Sequence, residues 1–158
     1  MLSEVSFSLV YVSQAWTGTP SIPSALVSML VKLPNVEFVV VTLGENGCVM
    51  LEKSSENSQS EEVDVDDVLE TLNRKKDGNS TSPTCISSGF VKLHAKGVGT
   101  VCGRLLLGTA ERVPASELVD TTGAGDSFIG AVLYALCANM PPEKMLPFAA
   151  QVVSLNFL

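Results

Sequence analysis

The most informative motif of this chain is Asp120-Thr-Thr-Gly-Ala-Gly-Asp126. An apolar run, Ser127–Cys137, follows it directly. The run predicts a buried helix, and two glycines and an alanine lie at its start. Backbone N–H groups at such a start can converge on an anion, and the helix dipole adds partial positive charge. Asp126 would lie beside this anion site, where a carboxylate can accept the proton of an attacking hydroxyl. In the alternative interpretation, Asp126 only stabilises the helix N-terminus.

A second glycine turn follows an apolar run that is rich in β-branched residues. Val36–Leu43 predicts a strand that is covered on both faces, which is typical of a parallel sheet. Gly44-Glu-Asn-Gly47 would then turn the chain into a second strand, Cys48–Leu51. At the C-terminal end of a parallel strand, such a turn lies where α/β folds bind ligands. By itself, the turn is equally consistent with a simple connection between strands.

Helical patterns surround this strand. Thr19–Ser24 predicts a helix start, because Ser or Thr can cap a helix and proline is acceptable in its first turn. Apolar residues then recur at helical spacing as far as Leu33, and Pro34 ends the pattern. Helix, turn and buried strand form half of a βαβ unit. Further upstream, Val5–Val12 is compatible with another strand.

Residues 53–84 are rich in Ser, Asn, Asp and Glu, and this composition predicts a polar, mobile insertion with one short amphipathic helix across Asp66–Arg74. Ile86–His94 and Thr100–Leu107 then predict two strands, which the glycines at 97 and 99 would join as a hairpin. A last helix is predicted from about Glu143 to Asn156.

The string D-T-T-G-A-G-D-S-F, Asp120–Phe128, resembles the second signature of the ribokinase/PfkB family of carbohydrate and nucleoside kinases. Val39–Gly47 also looks like the nucleotide-binding strand end of that family. The resemblance runs from about Trp16 onward, outside the insertion, and matches only the C-terminal half of a family member. It implies an α/β fold, namely a partial ribokinase-like three-layer α/β/α sandwich with a mostly parallel sheet and a β-hairpin. Residues 1–158 would then be the C-terminal portion of one kinase domain, without its N-terminal substrate and lid half.

The resemblance also implies a reaction, in which the γ-phosphoryl of ATP is transferred to a hydroxyl of a sugar or nucleoside. Asp126 would be the base, and Mg²⁺ would accompany ATP. The backbone amides that stabilise the transferring phosphoryl would be those of Gly123, Ala124, Gly125 and Asp126. The residues lining the ATP site would be Thr42, Leu43, Gly44 and Gly47. A monovalent cation, K⁺, would be bound by Asp120 and Thr122.

One alternative to a kinase is left open, and two other nucleotide-binding classes are excluded. Because the acceptor-binding half is expected to be missing, these 158 residues alone are expected to be inactive. The alternative to a kinase is therefore a non-catalytic, truncated or regulatory protein that keeps the nucleotide-binding half. The family's Asn-x-x-Glu element, which helps to place Mg²⁺, is not assigned, since Ser3-Glu4 lacks the asparagine. A P-loop NTPase is excluded because G-x-x-x-x-G-K-[ST] is absent, and a dinucleotide-binding dehydrogenase because G-x-G-x-x-G does not follow the first buried strand.

Bulk composition limits the class of protein. With 46% hydrophobic and 17% charged residues, the 158-residue chain is expected to form one globular domain. The net charge of −7 argues against a nucleic-acid or anionic-membrane surface. The four cysteines and His94 lack the spacing of a metal site, which favours buried thiols in a reducing compartment. We expect a cytoplasmic location, with organelle targeting by a missing N-terminal segment left open, and an exposed sheet edge that favours homo- or hetero-oligomers.

Overall fold

The computed structural model describes residues 18–19, 21–56, 59–117 and 122–155. In these ranges a six-stranded sheet lies between two layers of helices. The helices are α1 (Ile22–Lys32), α2 (Val65–Lys75), α3 (Ala124–Cys137) and α4 (Pro142–Leu155). The strands are β1 (Phe38–Thr42), β2 (Cys48–Lys53), β3 (Glu62–Asp64), β4 (Cys85–Ser87), β5 (Val91–Ala95) and β6 (Gly99–Gly108). The predicted α/β fold is confirmed, whereas the predicted strand Val5–Val12 lies outside the described residues.

The sheet is mixed and mostly antiparallel. Its order is β1-β2-β6-β5-β3, with β4 also paired to β6, and β3–β5 is the one parallel pair among the described strands. The prediction of a mostly parallel sheet is therefore wrong for this part of the chain. The reason lies in the connections: β1 and β2 are joined by the 3₁₀ turn Gly44–Asn46, and β5 and β6 by residues 96–98. Connections this short can join only antiparallel neighbours.

Both faces of the sheet are covered, which explains the continuous apolar runs. Val49 and Leu51 of β2 pack in a core with α1 and α2, while Cys48 and Met50 pack in a second core with α3 and α4. Alternate residues of one strand point to opposite faces, so both sets must be apolar. The pattern that usually indicates a parallel strand is produced here by an antiparallel strand between two helical layers.

The polar segment 53–84 contributes to the first core. The predicted helix is confirmed as α2, which begins after Asp64; the Asp64 side chain accepts a hydrogen bond of 2.9 Å from the N–H of Asp66. Val65 and Leu72 on this helix are fully buried. Strand β3, which directly precedes α2 and pairs with β5, was not predicted. At three residues, it is too short to leave a periodic signal in the sequence.

The two helices of the second core differ from the prediction in one respect. Helices α3 and α4 pack against each other, and α3 buries one stripe that contains Phe128, Ala131, Val132 and Ala135. The opposite side of α3 is open, with Leu133 44% and Tyr134 63% exposed. The prediction of a fully buried helix is therefore wrong, because the described residues provide packing partners on one side only. No helix in the described ranges is long and apolar enough to cross a membrane.

Candidate functional site

The turn between β1 and β2 is confirmed as the connection that Gly44 and Gly47 were predicted to make. The N–H of Leu43 donates to the carbonyl of Gly47 at 2.7 Å, and the N–H of Asn46 donates to the carbonyl of Leu43 at 3.1 Å. Gly44 has φ +59° and Gly47 has φ +89°, so both adopt the left-handed conformation that glycine tolerates best. Thr42 ends β1 with an exposed side chain, and Leu43 is half-buried.

The two glycines of this turn have different surroundings. A Cβ atom on Gly47 would lie 1.9 Å from the carbonyl oxygen of Gly108, the last residue of β6. A Cβ atom on Gly44 would have no neighbour within 4 Å. Gly47 is therefore required for the close approach of two backbones, while the backbone of Gly44 faces open space and is accessible to a ligand.

We expect Gly47→Ala to destabilise the fold far more than Gly44→Ala. Both changes place a side chain in the left-handed region, at about 1–2 kcal/mol. Gly47→Ala adds a backbone collision, and overpacking of this kind costs about 1–3 kcal/mol. The total for Gly47→Ala is therefore about 2–5 kcal/mol, measured as the free energy of unfolding in urea. Equal losses for the two variants would contradict the close contact between Gly47 and Gly108.

The segment that leaves β6 toward α3 is attached at three points. The N–H of Thr109 donates to the carbonyl of Thr84 at 2.9 Å, and the N–H of Thr84 donates to Oγ1 of Thr109 at 2.8 Å. The N–H of Arg112 donates to the carbonyl of Thr81 at 3.3 Å. The hydroxyl of Ser154, near the end of α4, donates to the carboxylate of Glu111. Residues 109–112, which lead from β6 toward α3, are thus held in place by the end of the 53–84 segment and by α4.

Helix α3 begins as predicted. Gly123 precedes its first residue with φ +82°, and no side chain caps the helix start. The N–H of Ser127 donates to the carbonyl of Gly123 at 3.0 Å, which closes the first turn. Asp126 lies in that turn and is exposed, whereas Ala124 and Gly125 are half-buried. Gly123 itself has no side chain that could cap the helix, and the first N–H groups of an α-helix lack partners within the helix, so they are the groups that an external anion would use.

The cation ligands predicted from the motif are placed only in part. Thr122 is exposed at the end of the connection that leads into α3. Asp120 lies outside the described residues. Within the described ranges, no three His, Cys, Asp or Glu side chains are grouped so that they could hold a metal ion. The K⁺ ligand pair therefore stays a prediction.

The structure joins the two glycine segments through one end of β6. Gly47 packs against Gly108, and the chain continues from Gly108 through residues 109–117 toward the start of α3. Both candidate segments thus depend on the position of the C-terminal end of β6. The single crevice predicted to contain Thr42–Gly47 and Gly123–Asp126 stays a prediction.

An ion-pair cluster around Arg104 was missed by sequence reasoning. Arg104 lies on β6, and its Nε donates to Glu52 of β2 at 2.7 Å. Its Nη1 donates to Glu143 in the first turn of α4 at 2.5 Å. Its guanidinium lies 4.9 Å from the ring centre of Phe90. The hydrogen bond from Arg104 lowers the pKa of Glu143. Burial opposes the charge of Arg104, but its two carboxylate partners outweigh burial and raise its pKa. The three charged residues are far apart in sequence, so no local pattern could have indicated them.

Two of the four cysteines, Cys48 and Cys85, are not activated nucleophiles. Burial raises the pKa of Cys48 to about 12, and burial together with the nearby Glu143 raises the pKa of Cys85 to about 11, so both thiols stay protonated near neutral pH. Cys48 is the buried thiol that was predicted, but Cys137 is exposed, because it lies on the open side of α3. His94 is half-buried on β5, and its Nδ1 lies 3.1 Å from Oγ1 of Thr100.

Comparison with known proteins finds similarity in the C-terminal part of the chain. Residues 96–157 match the pfkB family carbohydrate kinase. A ribokinase from Arabidopsis thaliana is 37% identical over 82 residues, which cover 44% of this chain and 22% of that protein. The chain thus spans about a fifth of the length of this curated relative. The family match includes Asp126, whereas Thr42–Gly47 lies outside it.

Proposed function

We propose, from the match of residues 96–157 to the pfkB family carbohydrate kinase, that this chain carries the phosphoryl-donor side of an ATP-dependent sugar or nucleoside kinase. The observation that supports this most is the start of α3, where a helix N-terminus preceded by glycine and an exposed carboxylate, Asp126, lie in the same turn. Such a turn can hold a phosphoryl group next to a base that activates the attacking hydroxyl. The ribokinase that this chain resembles makes a sugar the first acceptor to test.

The backbone at the start of α3 would stabilise the charge that develops on the transferring phosphoryl. Gly123, which directly precedes the helix in a left-handed conformation, is exposed, and a Cβ atom there would meet nothing within 4 Å. Preorganised N–H donors of this kind act without reorganising during the reaction. The amides assigned this role are those of Gly123, Ala124, Gly125 and Asp126.

Asp126 would accept the proton of the acceptor hydroxyl as its oxygen approaches the γ-phosphorus. In the first turn of α3 the carboxylate is near the positive end of the helix dipole, which favours its ionised, proton-accepting form. The exposed position leaves room for an acceptor molecule beside it.

The turn after β1 would hold ATP. Gly44 presents its backbone to open space, so a nucleotide can approach it closely, while Gly47 fixes the turn against β6. The residues assigned to this site are Thr42, Leu43, Gly44 and Gly47. These residues form the exposed turn that follows β1 and end at the contact of Gly47 with Gly108.

Bound Mg²⁺ would neutralise phosphate charge during the transfer. Phosphate oxygens of ATP would provide several of its ligands, because protein sites usually hold Mg²⁺ through substrate phosphates, waters and one or two carboxylates. Asp120 and Thr122 would hold K⁺ beside the anion site. Both are oxygen donors, which suits a hard cation.

The anion site can be tested with a matched pair of substitutions, Gly123→Asp and Gly123→Asn. The two side chains have nearly the same shape, and both tolerate a left-handed conformation better than most residues. Only Asp places a negative charge where phosphate would bind. We expect Gly123→Asp to weaken Mg²⁺·ATP binding about 5- to 100-fold relative to Gly123→Asn, which corresponds to about 1–3 kcal/mol of repulsion.

Titration calorimetry on the purified variants would measure this difference. A helix start generally favours Asp as much as Asn, so a selective loss in the Asp variant cannot be attributed to unfolding. Equal affinities for Gly123→Asp and Gly123→Asn would place the phosphates elsewhere and remove the anion-site assignment.

A second candidate is a non-catalytic binding or regulatory protein that keeps the nucleotide half of the fold. The observation in its favour is that the family match covers residues 96–157 and leaves Thr42–Gly47 outside it. This candidate also predicts Mg²⁺·ATP binding but no acceptor-dependent turnover in any longer product that contains the segment. A turnover assay therefore distinguishes the two functions, while a binding assay does not.

A further inference from the structure

The loop between α2 and β4 carries a serine that is well placed for covalent modification. Ser82 precedes Pro83 and is exposed, in a segment without helix or strand. Among the described residues its hydroxyl has no hydrogen-bond partner, although its carbonyl accepts a hydrogen bond of 3.0 Å from the hydroxyl of Ser80. Pro83 is buried, so the end of the loop is held against the protein while Ser82 faces solvent.

Serine or threonine precedes proline at two places in this sequence, Ser82-Pro83 and Thr19-Pro20. Protein kinases that are directed by proline recognise this dipeptide in an extended conformation, which a following proline favours. The structure separates the two positions, because Thr19 is only 5% exposed whereas Ser82 is exposed. Thr19 is thus an internal control with the same dipeptide chemistry.

A basic residue is bonded to this loop through its backbone. The N–H of Arg112 donates to the carbonyl of Thr81, the residue before Ser82. Arg112 is exposed, and within the described ranges its guanidinium forms no ion pair. The long side chain of Arg112 therefore starts near Ser82, and a guanidinium can bind a phosphate through two hydrogen bonds.

We propose that Ser82 is a phosphorylation site for a proline-directed serine/threonine protein kinase, and that its phosphate pairs with Arg112. The serine oxygen attacks the γ-phosphorus of ATP, an O–P bond forms, and the bond from that phosphorus to the β,γ-bridging oxygen breaks. ADP leaves, and the hydroxyl proton passes to the base of the protein kinase. This ion pair between the phosphate on Ser82 and Arg112 would connect the loop to residues 109–117, the segment that leads toward the start of α3.

The site is tested on the folded 158-residue chain with a purified proline-directed kinase, ATP and peptide mapping by mass spectrometry. We expect one phosphate on Ser82, at least tenfold less on Thr19, and loss of labelling in Ser82→Ala. Synthetic peptides spanning residues 14–25 and 77–88 serve as controls, and both should be labelled because neither is folded. Labelling of Thr19 as strongly as Ser82 in the folded chain, labelling of Ser80 or Thr81 instead, or labelling of the peptides alone would overturn the site.

The pairing with Arg112 has its own readout. Phosphorylation should slow amide hydrogen exchange in residues 109–117 by about two- to fivefold, the range expected for an exposed ion pair. Arg112→Gln keeps the backbone N–H that bonds Thr81, and it should still be phosphorylated but lose the slowing. Unchanged exchange in the phosphorylated wild type, or slowing that persists in Arg112→Gln, would overturn the pairing. Neither result depends on ATP binding at the start of α3, so the proposed kinase function is tested separately.

Discussion

Asp126→Asn is expected to lower turnover by roughly 10²–10⁴-fold, the usual contribution of a general base, in any longer gene product that carries this segment and phosphorylates an acceptor. Asparagine keeps the shape and the hydrogen bonding of the side chain at this exposed position. It accepts a proton poorly, so the hydroxyl would have to attack without a base. Nucleotide affinity should be retained, because the proposed phosphate contacts are backbone amides.

A matched control is Asp67→Asn. Asp67 is another exposed carboxylate in the first turn of a helix, α2, and therefore has the same favourable position in a helix dipole. Its substitution should leave turnover nearly unchanged, because an exposed substitution away from a special site changes only the free energy of unfolding, by no more than about 0.5 kcal/mol. If Asp126→Asn turned over at the wild-type rate, Asp126 would be structural and the assignment of the base would be wrong.

The sequence predicted the elements of this fold better than their arrangement. Apolar spacing located α1 and α2, helix-start residues located α4, and the glycine turns located the hairpin of β5 and β6, because these signals are local. The sheet direction was missed because apolar residues on both faces of β1 report only that helices cover both faces. That condition holds for parallel and antiparallel strands alike, so the pattern cannot distinguish them.

The candidate site also has one part that the sequence predicted and one part that it did not. The start of α3 could be predicted because Gly123–Asp126 is one continuous motif, and the structure places Asp126 in the first turn of the helix. The cluster of Arg104 with Glu52 and Glu143 could not be predicted, because it depends on the register of β2 against β6 and on how α4 packs. Contacts of this kind exist only after the tertiary structure has formed, and a single sequence carries no record of them.

The 158 residues alone are expected to form no measurable acceptor-dependent ADP when incubated with Mg²⁺·ATP and a panel of pentoses, hexoses and nucleosides. Phosphoryl transfer relies on holding donor and acceptor together, an effect that can be worth about 7–11 kcal/mol. The proposed donor-side groups are present, but the sequence contains no Gly-Gly dipeptide, so the glycine pair that the resemblance expects on the acceptor side is missing. Without a bound acceptor, Asp126 would have no hydroxyl to activate.

The sheet edge adds to this expectation. Strand β1 pairs only with β2 among the described residues, yet Val39 and Val41 are buried in one core and Phe38 and Val40 pack against the other. Such a strand resembles an interior strand of a larger sheet, and its outer edge is where a second copy or another chain would add a strand. The assay should therefore be run on a size-separated monomer and on any larger species.

A partner chain that completes the site would make activity appear only in the larger species. In the isolated chain, acceptor-dependent ADP formation that disappears in Asp126→Ala would overturn the expectation of inactivity. It would mean that the start of α3 and the turn after β1 are sufficient to position both substrates. ADP formation that persists in Asp126→Ala would instead indicate a contaminating ATPase, because no other residue of this chain has been assigned the role of the base.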